Sequence, residues 1–143
     1  PEAWQIAATR ALLERLDLIA IADQPFGQLS DGQRRRLMIA RALVHAPEVL
    51  VLDEPSRALD LKACHQLLRT LGELCRSGTT VVQVTHRIDT IIPEMQRVLC
   101  LNGGTVVGDG TPAEILTTKR LSALFGTDLC VVEANGYRQV LPA

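Results

Sequence analysis

Apolar positions along the chain follow two different spacings. Near the start, Trp4, Ala8, Ala11, Leu12 and Leu16 recur every three or four residues, which predicts a helix over about residues 2–17. Residues 19–29 are less regular and contain Pro25 and Gly27, so they read as a short helical turn followed by a loop. Ser30 followed three positions later by Gln33 is a capping-box pattern, and the helix it opens carries Leu37, Ala40, Leu43 and Val44 and stops before Pro47. Residues 49–52 are instead an unbroken aliphatic run, Val-Leu-Val-Leu, of the kind that suits a parallel strand covered on both faces. Asp60 can cap the next helix, whose Cys64, Leu67, Leu68, Leu71 and Leu74 form one stripe ending near Gly78. Residues 79–84 predict a second buried strand, with His86 just past its end. Residues 97–101 and 105–107 flank Asn102-Gly103-Gly104, a hairpin signal, and Thr111-Pro112 opens a helix with proline at its first position. A last hairpin is predicted from residues 129–133 and 137–141 around Asn135-Gly136. Alternating helices and strands predict an α/β architecture.

Composition narrows what such a domain can do. With 143 residues, 47% hydrophobic and 22% charged, the chain can bury a core and is one small domain or part of a larger one. The net charge of -1 gives no general attraction to nucleic acid or to an anionic membrane. Trp4, Phe26, Phe125 and Tyr137 are the only aromatics, too few for a base-stacking platform. No apolar run approaches the roughly 20 residues that span a bilayer. Cys64, Cys75, Cys100 and Cys130 are widely spaced and lie in apolar surroundings, so they are expected to be buried free thiols in a reducing, cytosolic compartment. The opening Pro-Glu-Ala-Trp-Gln has no initiator Met and no signal-peptide order, so the chain reads as trimmed or as starting within a longer protein.

Three features carry candidate chemistry. The aliphatic run 49–52 delivers Asp53 and Glu54 to the C-terminal edge of a strand, where open α/β sheets bind ligands. The first acid can hold a hard cation and the second can orient or deprotonate water; a solvated turn is the plainer reading. At Leu29-Ser30-Asp31-Gly32-Gln33 a helix start offers backbone N–H groups, a hydroxyl and a close-approach glycine to an anion, or is simply a capped helix. His86 after a strand can act on a ligand or be merely exposed. The run Arg34-Arg35-Arg36 could face phosphate but reads better as a solvated helix face.

In this order the three features resemble the signature, Walker B and D-loop region of the ATP-binding cassette (ABC) ATPases. Residues 29–33 look like the family signature, with Asp31 where glycine is commonest. Residues 39–43 match the helix that follows, 52–55 the Walker B motif and 58–60 the D-loop, with Arg57 in place of a small residue. Thr85-His86 resembles the switch histidine, and residues 103–110 the hairpin after it. Gln33 and Asp53 are twenty positions apart (53−33) and Asp53 and His86 thirty-three (86−53), as is usual for the family. The resemblance covers about residues 1–118, and the region after His86 resembles metal-chelate importers.

The resemblance implies a partial P-loop NTPase (RecA-like) fold, a parallel sheet flanked by helices with hairpins toward the C-terminus. It divides the chain into part of the helical subdomain (1–46), the C-terminal part of the ATPase core (47–118) and a helix-and-hairpin extension (119–143). It implies that Asp53 helps place Mg2+, that Glu54 polarises the water attacking the ATP γ-phosphate, and that His86 contacts that phosphate. Ser30, Gly32 and Gln33 would meet nucleotide held by a partner in a head-to-tail dimer, and Asp60 would communicate across the interface. The implied partners are a second ATPase subunit and a membrane permease, with no nucleic acid, at the cytoplasmic face of the membrane.

None of the ten glycines is followed by lysine, so the phosphate cradle Gly-x-x-x-x-Gly-Lys is not in these residues. The chain therefore resembles the C-terminal half of such an ATPase and is expected, alone, to bind ATP weakly or not at all and not to turn it over. The competing reading is a non-catalytic ABC-like interaction module. In the implied strand order the Walker A strand lies between strands 80–84 and 97–101. Without it those strands either pair directly or present edges that favour self-association, and self-association is the expectation.

Overall fold

The computed structural model describes residues 2–143, which divide into two compact units between Thr85 and His86. In the first unit, α1 (Ala3–Arg15) is followed by single 3-10 turns at Ile19–Ile21 and Phe26–Gln28 and by α2 (Asp31–Leu43). Strand β1 (Val49–Asp53), α3 (Leu61–Arg76) and β2 (Thr80–Val84) complete it. Each boundary has a local cause. Ser30 and Gln33 form the expected capping box on α2, and Asp60 caps α3. β1 and β2 pair in parallel, Val49 opposite Thr80 through Asp53 opposite Val84, with α3 as the crossover that parallel strands require.

The core of this unit comes from one face of each element. Ile39, Ala40 and Leu43 of α2, Leu50 and Leu52 of β1, and Ala63, Cys64, Leu67, Leu68 and Leu71 of α3 are all buried. Leu16, Leu18 and Leu29 close it from the loops. Burial of a leucine contributes about 1.5–3 kcal/mol, so the α3 stripe dominates the unit. The expectation that both strands are covered on both faces fails: Leu50 and Leu52 point inward, whereas Val49, Val51, Val82 and Val84 are 44–66% exposed. Helix α1 contributes no buried residue, and Trp4 and Ile6 remain exposed.

In the second unit, β3 (Val98–Asn102) and β4 (Thr105–Gly110) form an antiparallel hairpin, followed by α4 (Pro112–Ile115), α5 (Thr118–Phe125) and a hairpin of β5 (Leu129–Ala134) and β6 (Tyr137–Pro142). Its core is Ile115, Leu116, Leu121 and Leu129, with Ile88, Ile91, Val98, Cys100, Leu124 and Val131 packed against them. Asn135 and Gly136 both have positive φ (52° and 79°), the backbone a tight two-residue hairpin turn demands.

One further expectation is corrected. Only Cys64 is buried; Cys75 and Cys100 are half-buried and Cys130 is exposed, because the strands and helices that carry them cover one face only. Among the described residues the strands form three two-stranded sheets, β1 with β2, β3 with β4 and β5 with β6.

Candidate functional site

The parallel ladder runs one residue beyond β1. The Glu54 N–H donates to the Val84 carbonyl at 2.9 Å, so the backbone is still held by β2 as the chain reverses. Glu54 itself sits at φ 45°, a left-handed conformation uncommon for a non-glycine residue. Its carbonyl accepts from the Arg57 N–H at 3.1 Å, and Pro55 and Ser56 are buried directly behind it. Asp53 is exposed and Glu54 half-buried, so the turn presents two adjacent carboxylates at the C-terminal edge of the sheet.

The start of α2 stands beside this turn. Ser30 Oγ accepts from the Gln33 N–H at 3.2 Å, and Gln33 Oε1 accepts from the Ser30 N–H at 2.8 Å. A helix has no internal acceptor for its first N–H groups, so those of Asp31 and Gly32 remain as anion donors. The Asp31 carboxylate opposes an anion there, but it lies 3.4 Å from Arg34 Nη1, which offsets its charge. Gly32 abuts the 58–60 segment: a Cβ placed on it would stand 3.1 Å from the Ala58 carbonyl oxygen and 3.7 Å from Leu59 Cδ2. Asp60 Oδ1 accepts from the Ala63 N–H at 2.7 Å, which gives this residue a structural duty as the cap of α3.

The three arginines are not a solvated face. All three are half-buried, and each clasps backbone carbonyls of a different segment. Arg34 donates to Gly27 at 2.9 Å and Phe26 at 3.3 Å and lies over the Phe26 ring; Arg36 donates to Leu16 at 2.9 Å. Arg35 Nη2 donates to the carbonyls of both Asp53 and Glu54. A signal for this exists in the chain: Arg35 and Arg36 precede the buried Ile39 and Ala40 by four residues and so share their face.

Thus the structure brings Ser30, Gly32, Gln33, Asp53, Glu54 and Asp60 into one unit, with α2 touching both the 53–54 turn and the 58–60 segment. His86 is exposed and is the first residue of the second unit. Among the described residues no three His, Cys, Asp or Glu side chains gather into a metal cage. A single exposed carboxylate still fits Mg2+, which is commonly held by one or two carboxylates together with phosphate oxygens and water. The first-turn N–H groups of α2 likewise suit a phosphate. No helix among the described residues is long and apolar enough to cross a membrane.

Known proteins share this fold. Among solved structures, an inward-facing metal-chelate type ABC transporter superposes with a TM-score of 0.82 at 28% identity, over 100% of this chain and 59% of the other. A dimeric bacterial ABC transporter cassette gives 0.68 at 32% identity, over 73% and 46%. The fold is therefore that of the P-loop NTPase class. A sequence profile of the ABC transporter family matches residues 2–57. The ABC transporter ATP-binding protein YlmA of Bacillus subtilis is 40% identical over 123 residues, 85% of this chain and 47% of YlmA. The hemin import ATP-binding protein HmuV of Rhodococcus jostii is 36% identical over 128 residues, 88% and 44% respectively. The chain belongs to the ABC transporter ATP-binding family, and it spans about half the length of the curated relatives it matches.

Proposed function

We propose that this chain supplies the hydrolytic and partner-facing half of an ABC ATPase whose ATP hydrolysis drives transport. The observation that carries this reading is the packing of the α2 start, the acid turn and the 58–60 segment into one unit through Arg35 and Gly32. In the assembled ATPase, residues 1–46 belong to the helical subdomain, 47–118 to the core and 119–143 to an extension. Asp53 is the residue that would hold Mg2+, which when bound neutralises charge on the phosphates. Glu54, on the fixed turn next to it, orients and polarises water, and its half-burial keeps that carboxylate from being wholly solvated. His86 contacts the terminal phosphate.

The start of α2 faces the other way in function. Ser30, Gly32 and Gln33 meet nucleotide on a second ATPase subunit, with the first-turn N–H groups as donors, and Asp60 lies at that interface. A permease partner at the cytoplasmic face of the membrane completes the system. The exposed valines of β1 and β2 are an association surface, and two copies of this chain are the simplest cover for it.

The test supplies a Walker A half from a relative, fused upstream, and measures phosphate release. Turnover that falls at least about a hundredfold in Glu54→Gln supports the assignment. Turnover unaffected by that change would sink it.

A further inference from the structure

We propose that Arg35 is a positioning residue for the acid turn, acting on Glu54 through the backbone; this rests on the reading of Glu54 as the residue that orients water. The peptide groups around Glu54 are gripped from two sides. β2 holds the N–H, through the 2.9 Å bond to Val84, and α2 holds the carbonyls, through one guanidinium nitrogen shared by Asp53 and Glu54. Two successive carbonyls reach one donor only if the backbone bends so that they converge, and the left-handed φ of 45° at Glu54 supplies that bend.

That conformation is unfavourable for a residue with a Cβ and persists only where neighbouring groups over-determine it. Arg35 is the side chain placed to do so. Its charge makes both bonds stronger than neutral ones, and its half-buried site limits competition from water. It touches neither carboxylate in these contacts. What it sets is the direction in which the Glu54 side chain leaves the turn, and with it the distance between the two acids. Its neighbours Arg34 and Arg36 hold other segments, at Phe26, Gly27 and Leu16, so they cannot substitute for it.

Amide hydrogen exchange of the 143-residue chain, read by NMR, tests this without nucleotide. Arg35→Met keeps the stem and removes the donors. Exchange at the Glu54 amide should quicken about tenfold, with the ladder amides of β1 and β2 within about twofold of the parent, and Arg35→Lys should restore part of the protection. Unchanged protection at Glu54, or a uniform loss across the whole unit, overturns the proposal. Should Arg35→Met fail to fold, Arg35→Gln is read by the same two criteria. In the Walker A fusion, Arg35→Met should lower kcat about tenfold or more with KM for ATP within about twofold, and equal changes in both would overturn a positioning role. Glu54→Gln measured alongside separates the two readings. If it leaves turnover intact, the role given to Glu54 falls, while the exchange result still decides whether Arg35 holds the turn.

Discussion

Asp60 has an observed duty as the cap of α3 and a proposed one at the subunit interface, and the two can be separated. Its Oδ1 accepts the Ala63 N–H at 2.7 Å, so Asp60→Ala leaves an N–H at the start of α3 without its acceptor. Loss of an N-cap costs about 1 kcal/mol, and loss of the negative charge at a helix start adds about 0.3–1 kcal/mol. Serine keeps a side-chain acceptor and loses only the charge, so Asp60→Ser should cost only the smaller part. With unfolding entropy near 2.1 cal/mol/K per residue, cooperative melting of all 143 residues converts 1 kcal/mol into about 3 °C. If the first unit melts alone, the same loss is about 6 °C. Circular dichroism melts of parent, Asp60→Ala and Asp60→Ser in one buffer decide the matter. Equal losses in the two variants, or no loss in Asp60→Ala, would refute the capping argument. Where serine preserves the melt but weakens association or turnover in the fused ATPase, the remaining deficit belongs to the interface role.

Other expectations are quickly checked. Leu71→Ala, at a fully buried site in the α3 stripe, should destabilise the first unit by about 2–5 kcal/mol in urea titrations. Gly136→Ala should cost about 1–3 kcal/mol, since φ is 79° and the new Cβ would stand 2.9 Å from Pro93 Cγ; an unchanged melt would contradict it. In the second unit, the Arg97 guanidinium holds Asp109 below its ordinary 3.8, and the Thr111 N–H, then its hydroxyl, hold Glu114 below 4.5. The native state therefore binds fewer protons, so this stabilisation is present above those ordinary values and is lost as pH falls through the lower native ones. An Asp109→Asn, Glu114→Gln double variant should flatten the acid limb of a pH melt, and matching limbs would exclude the effect. Light scattering should show mass rising with concentration, through the exposed valines of β1 and β2, and a concentration-independent monomer would rule that out.

Periodicity and turn chemistry determined most of the local structure, because those signals lie within a few residues. The capping box at Ser30, the helix start at Thr111-Pro112, the cap at Asp60 and the hairpin at Asn135-Gly136 all stand where the chain pattern puts them. The ordered motifs likewise named the family and the candidate residues, since their spacing is a property of the chain alone. What the sequence left open depends on partners far along it. An aliphatic run reads the same whether one face or two are covered, and only tertiary packing decided that Val49 and Val51 stay exposed while Leu50 and Leu52 do not. Cysteine burial escaped the reading for the same reason. The arginines are the clearest case: charge alone suggests solvent, yet the long stem of Arg35 on the inward face of α2 brings its guanidinium to backbone carbonyls eighteen and nineteen residues away. A carbonyl needing a donor leaves no mark in the sequence, because every residue has one; only the fold decides which of them a side chain must satisfy.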